Sequence, residues 1–121
     1  MTELVLQRPH TGAIPAWTAV CRLDDLEEYW GEAALVDGEQ IALFRLPGNT
    51  LHAVCNVDPR TRAAVLARGI IGSRGSSPTI TSPLHKEVYN LLNGACLSGG
   101  EGLRVYPIRC AEGVVEIDVA A

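Results

Sequence analysis

What most constrains this chain is the shortness of its apolar runs and the regularity with which turn residues interrupt them. "EQIALFRL" alternates Ile41, Leu43 and Arg45 against Ala42, Phe44 and Leu46; "PGNT" turns the chain and "LHAVCN" brings it back. That pattern predicts a β-hairpin. "KEVYNLL" and "ACL" flank Asn93-Gly94, a dipeptide suited to the positive φ angles of a tight hairpin turn. "LRVYPIRC" turns at Glu112-Gly113 into "VVEIDV", where Val115, Ile117 and Val119 share a face opposite Glu116 and Asp118. Pro107 cannot donate to a ladder, so its strand belongs at an edge or at a bulge. "TITS" and "WTAVCRL" read as further strands, and "DDLEEYWG" as one helical turn capped by Asp24 or Asp25 and ended by Gly31. Closely spaced short strands of this kind predict an all-β sandwich or small barrel. We place it over residues 16–121 as a single domain, behind an N-terminal arm, 1–15, punctuated by Pro9, Gly12 and Pro15.

One segment departs from the strand pattern. Residues 58–78, "DPRTRAAVLARGIIGSRGSSP", hold enough helix formers for one turn around Ala63–Ala67 and then read as a Gly/Ser/Pro-rich loop. It carries Arg60, Arg62, Arg68 and Arg74 against Asp58 alone. Long loops inside compact domains are mostly functional or disordered. The reverse imbalance lies upstream, where Asp24–Glu39 contains seven acidic residues and no basic one, an expected solvated face.

Charge and composition exclude several function classes. A net charge of −4 gives no general reason to bind nucleic acid or an anionic membrane. No apolar run approaches the roughly 18–20 residues that cross a bilayer. "MTELVLQRPH" lacks a basic stretch followed by a continuous apolar one, so no secretion signal is read there and a cytoplasmic protein is expected.

Candidate chemistries thin out in the same way. Cys21, Cys55, Cys96 and Cys110 are far apart and each lies in apolar company, which predicts reduced structural thiols rather than a zinc ribbon or redox pair. His10, His52 and His85 are equally scattered, so a metal cage would need distant residues throughout. Neither Cys55 nor Ser82 has the glycine elbow of a nucleophile, although His85 stands near Ser82 in the sequence. "GIIGSRGS" and "LSGGEG" both lack the Gly-Lys-Ser/Thr ending of a phosphate loop.

The order of features, "AVCNVDP", a loop, then "SPLHKEVYNLLNGACL", resembles a Rieske-type domain, whose cluster loops read C-P-H and C-P-L-H-G. Setting the prolines in register puts the ligand positions at Asp58, Arg60, Ser82 and His85, with Lys86 where the glycine would stand. A [2Fe–2S] Rieske centre needs two thiolates and two imidazoles. Only His85 is a ligand-type residue, so no metal site is expected. Within this group the chain resembles the small subunit of assimilatory NAD(P)H-dependent nitrite reductase, from Trp17 to about Val119, through "WTAVCRLDDL", "GEQIALFR", "VCNVDP", "VLARGIIG", "SPLHK" and "VYPIR". The resemblance implies a partner subunit without catalytic residues or a bound cofactor. Its large subunit would carry FAD, a [4Fe–4S] cluster and sirohaem and reduce nitrite to ammonium. It further implies that the loops form an exposed tip, where Arg60, Arg62, Arg68, Arg74, His85 and Lys86 make a basic docking surface and His85 hydrogen-bonds within its loop. Two alternatives stand beside it: a Rieske ferredoxin-like electron carrier with unconventional ligands, and a ligand-free regulatory module.

Overall fold

A computed structural model of the chain describes residues 17–120 and the backbone of Leu4–Leu6. Ten strands form three sheets among the described residues. The first runs β1 (Leu4–Leu6), β3 (Glu32–Val36), β4 (Glu39–Leu46), β5 (Thr50–Cys55). The second runs β2 (Thr18–Arg22), β10 (Val114–Ile117), β9 (Ile108–Ala111). The third runs β6 (Ile70–Arg74), β7 (Ser77–Thr81), β8 (Val88–Asn90). All pairings are antiparallel except β1 on β3.

Turn chemistry sets the registers. Asp37-Gly38 and Glu112-Gly113 each place both residues at positive φ, and the two-residue loops close Val36 on Glu39 and Ala111 on Val114. That is the geometry whose twist matches a right-handed hairpin. β9 starts directly after Pro107 and lies at the edge of its sheet, where the missing N–H breaks no ladder.

β4 is the middle of the molecule because both of its faces are apolar. Ile41 and Leu43 pack with Ala34, Val36, Ala53, Val115 and Ile117, which joins the first sheet to the second. Ala42 and Phe44 pack with Val54, Leu66, Ile80, Tyr89 and Leu91, which joins it to the third. Each fully buried Leu, Ile or Phe in such a layer contributes roughly 1.5–3 kcal/mol by leaving water. Val115, Ile117 and Val119 are all buried, as their alternation predicts.

Four local expectations change. Leu4–Leu6, inside the stretch read as an arm, form a strand parallel to β3 at Leu4↔Ala34 to Leu6↔Val36. The remaining arm residues, 1–3 and 7–15, lie outside the described residues. The turn near "DDLEEYWG" is a 3-10 helix over Leu23–Asp25, and Asp25 is its third residue rather than its cap: its carboxylate accepts the Arg22 N–H at 3.0 Å. Residues 58–78 are not a long loop. A 3-10 turn, Leu66–Arg68, buries Leu66 and Ala67, and the hairpin β6–β7 follows. Asn56 holds that turn, accepting the Val65 and Leu66 N–H on its carbonyl and the Ala67 N–H on its side-chain oxygen at 2.7 Å. Finally, Cys110 is exposed rather than packed, while Cys21, Cys55 and Cys96 are half-buried and all four are free.

Candidate functional site

The loop after β5 and the loop between β7 and β8 fold alike. Each starts with an X-Pro step, Asp58-Pro59 and Ser82-Pro83. The N–H of the first residue donates to the carbonyl five positions on: Asp58 to Ala63 at 2.8 Å, Ser82 to Glu87 at 2.8 Å. Its carbonyl accepts from four positions on: from Arg62 at 2.7 Å and from Lys86 at 3.2 Å. Its side-chain oxygen accepts from two positions on: from Arg60 N at 2.9 Å and from Leu84 N at 3.4 Å. This is the local hydrogen bonding by which Asp and Ser start turns. Arg62 and Lys86 share the left-handed region at φ 66 and 59, so Lys86 occupies the backbone conformation that suits the glycine of the Rieske loop pattern.

The two loops are fastened face to face. The Ser82 hydroxyl donates to Asp58 Oδ2 at 2.6 Å, and the Tyr89 hydroxyl reaches Asp58 Oδ1 at 3.5 Å. Asp58, Ser82 and Tyr89 are all buried. Burial alone would push the Asp58 carboxyl up. Hydrogen bonds from Ser82, the Arg60 and Thr61 N–H groups and Tyr89 outweigh it and hold the group below the usual carboxylate range. Burial, and then the Asp58 charge, push the Tyr89 phenol well above its ordinary value. A second link lies outside the first: Arg60 Nη1 pairs with Glu87 Oε1 at 2.9 Å, and the Cys96 thiol donates to Glu87 Oε2 at 3.7 Å.

This donor set does not fit an iron–sulfur cluster. The two positions that would supply thiolates hold oxygens in direct mutual contact at 2.6 Å, which leaves no place for an iron between them. Arg60 carries a permanent cation with no lone pair to offer. His85 is exposed and makes no hydrogen bond among the described residues, so its expected bond within the loop is not formed. Among the described residues no three His, Cys, Asp or Glu side chains gather closely enough to hold a metal ion. His10 lies outside the described residues. His52 is buried on β5 with Nε2 unpartnered, and burial holds its pKa down against a hydrogen bond to the Leu91 carbonyl.

The expected basic set divides in two. Arg60, Arg62, His85 and Lys86 surround the fastened loops and are exposed, with Arg60 already paired to Glu87. Arg74 stands elsewhere, at the end of the β6–β7 hairpin remote from Ser82, while Arg68 precedes the end of β6 whose Ile70 pairs with Thr81, next to Ser82. Sequence reasoning passed over Glu87 and Tyr89. Tyr89 was legible as the inward residue of "EVYNLL"; Glu87 carried no signal, because its partner is 27 positions away. The acidic stretch is not solvated throughout either, since Glu39 accepts from Arg104 at 2.6 Å and from the Tyr106 hydroxyl at 2.8 Å.

The family model for a Rieske-like [2Fe-2S] domain matches residues 16–118. The nitrite reductase (NADH) small subunit of Salmonella typhimurium is 34% identical over 103 residues, which is 84% of this chain and 95% of that one. The chain belongs to the nitrite reductase small-subunit family. Members of this family share its fold in solution. The nitrite reductase [NAD(P)H] small subunit of Erwinia carotovora, solved by NMR, superposes with a TM-score of 0.73 at 37% identity over 87% of this chain and 82% of that one. The nitrite reductase [NAD(P)H] large subunit of Klebsiella oxytoca also matches, at 38% identity over 106 residues, 85% of this chain; the chain spans 11% of that protein's length. Both the all-β architecture and the family reading of the sequence therefore stand. Among the described residues, no helix is long and apolar enough to cross a membrane.

Proposed function

We propose that this chain is the small, cofactor-free subunit of an NAD(P)H-dependent nitrite reductase, working in the cytoplasm in nitrate assimilation and docked on a large catalytic subunit. The observation that carries the reading is the Asp58–Ser82 bond: the Rieske loops are kept in shape while their ligand positions are tied to each other. A chain built this way offers a surface and not a redox centre. Reduction of nitrite to ammonium takes six electrons, and FAD, [4Fe–4S] and sirohaem belong in this reading to the large subunit. The Klebsiella oxytoca large subunit, which contains a matching stretch within its own chain, supports partnership with such a body. In this reading Arg62, His85 and Lys86, with the ion-paired Arg60, form the basic tip that faces the large subunit. Residues 16–121 act as one docking unit.

The electron-carrier alternative keeps the same fold and fails on its donors. Co-expression with the large subunit tests the proposal directly. The unmodified chain is expected to co-elute with the large subunit through size exclusion, and the chain purified alone under anaerobic conditions to be colourless. Failure to co-elute, or visible absorption with stoichiometric iron in the isolated chain, overturns it.

A further inference from the structure

Strand β6 is an open edge. It pairs with β7 on one side, and no described strand lies on the other. The two-residue loop closes Arg74 on Ser77, so pairing alternates back along the hairpin and leaves the N–H and C=O of Ile71 and Ser73 facing outward. Such a row of unpaired backbone groups is a template for a further strand. Proteins with no use for an exposed edge usually blunt it with proline, an inward charge or a bulge. β6 reads Ile-Ile-Gly-Ser-Arg, with none of these, and its register is unbroken from Ile70↔Thr81 to Arg74↔Ser77.

The surroundings of this edge are shaped for an occupant. Two clefts, of about 850 and 410 Å³, adjoin along it and share Tyr29 and Ile71 in their walls. Trp30 is 57% exposed, Tyr29 60% and Ile70 72%, three large apolar side chains in one place on an acidic protein. All three line the larger cleft, together with Gly31, Ala33 and Ala67. Gly31 is packed against the Ala67 carbonyl so closely that a side chain there would collide with it, which fixes the Tyr29–Trp30 segment beside the start of β6.

Charge decides the occupant. Arg68 precedes β6 and Arg74 ends it; both are exposed and neither makes an ion pair among the described residues. We propose that an extended segment of the large subunit adds to the free edge of β6 as a further strand, seating an apolar side chain between Trp30 and Ile70 and acidic residues against Arg68 and Arg74. This rests on the partnership proposed above and assigns it a specific contact. Such a segment combines backbone hydrogen bonds for affinity with side-chain pockets for specificity. A second copy of this chain is the poorer occupant. The 68–74 stretch of a second copy brings two more arginines and no acidic residue to this edge, so it offers nothing to pair with Arg68 and Arg74. Residues 7–16 of the chain contain Arg8 and no acidic residue, so they do not match this charge pattern either.

The test uses the purified large subunit and the full-length chain. Ser73→Pro removes an outward N–H but no β7 bond, because Ser73 faces Pro78 across a non-hydrogen-bonded pair. It is expected to weaken binding about tenfold or more while the isolated chain keeps its melting temperature. Arg68→Glu combined with Arg74→Glu needs no backbone change and is expected to weaken binding at least as much, more so at low salt. In the unmodified complex, hydrogen exchange at the Ile71 and Ser73 amides is expected to slow about tenfold or more relative to the free chain. Unmodified binding by both variants, or unchanged exchange at these amides in a formed complex, overturns the inference and leaves the partnership intact. A free chain that sediments as a dimer with protected Ile71 and Ser73 amides overturns it in favour of a second copy. If the unmodified chain does not bind the large subunit at all, the partnership itself has failed.

Discussion

The paired loops and the β6 edge lie close together in sequence, and they treat backbone and side-chain polarity in opposite ways. At the loops, the oxygens that replace the two thiolates are turned inward and matched: Asp58 takes donors from Ser82, Tyr89 and two backbone amides, Arg60 pairs outside them with Glu87, and His85 alone of the four former ligand positions is exposed without a partner among the described residues. At the edge, backbone donors and acceptors, two arginines and three large apolar side chains are left to solvent. The tip most readily mistaken for a reactive centre is closed at its core, held by its own residues, with Arg62, His85 and Lys86 left on its outside. The ordinary-looking hairpin beside it is the region with unspent binding capacity. A closed polar cluster contributes to stability, whereas an open edge costs little when water satisfies it.

The largest effect expected from breaking this contrast is at Asp58. Asp58→Ala leaves the Ser82 and Tyr89 hydroxyls and the Arg60 and Thr61 amides without their acceptor, and is expected to lower the unfolding free energy by about 3 kcal/mol in urea titrations. A loss under about 1 kcal/mol would mean that the loops are not held together by this carboxylate. Next comes Ser82→Ala, which removes one donor, with an expected loss of about 1–2 kcal/mol. Its pH dependence carries a sign. Asp58 is held below its unfolded value, so its contribution is complete above about pH 4 and is lost as pH falls through the folded value. Without Ser82 the folded value rises toward the unfolded one, so the acid loss of stability should begin at the same pH but be smaller and complete at a higher pH; coincident acid profiles for the two proteins would contradict this. The smallest effects are expected at the exposed positions. Arg60→Ala, on a side chain 60% exposed, and Ile70→Ser should each change stability by less than about 0.5 kcal/mol, and a larger loss at Ile70 would show the edge to be packed rather than open.

Much of this was legible because the relevant signals are local. The hairpins at 39–55 and 108–117 follow from alternation and from turn residues that prefer positive φ, and the face shared by Val115, Ile117 and Val119 follows from the two-residue period of a strand. The hairpin at 70–81 was hidden for a physical reason. An edge strand exposed on most of its length needs no apolar alternation, so Gly72, Ser73 and Gly75 read as loop. The same reasoning grouped six basic residues by their nearness in sequence. A five-residue strand is about 17 Å long, enough to carry Arg74 away from the loops.

By itself, then, the chain's residue order determined an all-β domain and the two X-Pro loops, and its resemblance to the Rieske pattern implied the absence of thiolate and imidazole at three of four ligand positions. Those are properties of spacing and side-chain chemistry, and no contact is needed to read them. Only the tertiary structure decided what the replaced positions do. Asp58 and Ser82 are 24 residues apart, and their bond exists because β5, β7 and β8 bring two similarly folded loops into contact. It likewise decided which polar groups are left over, since an unpaired strand edge is a property of the sheet and not of the strand.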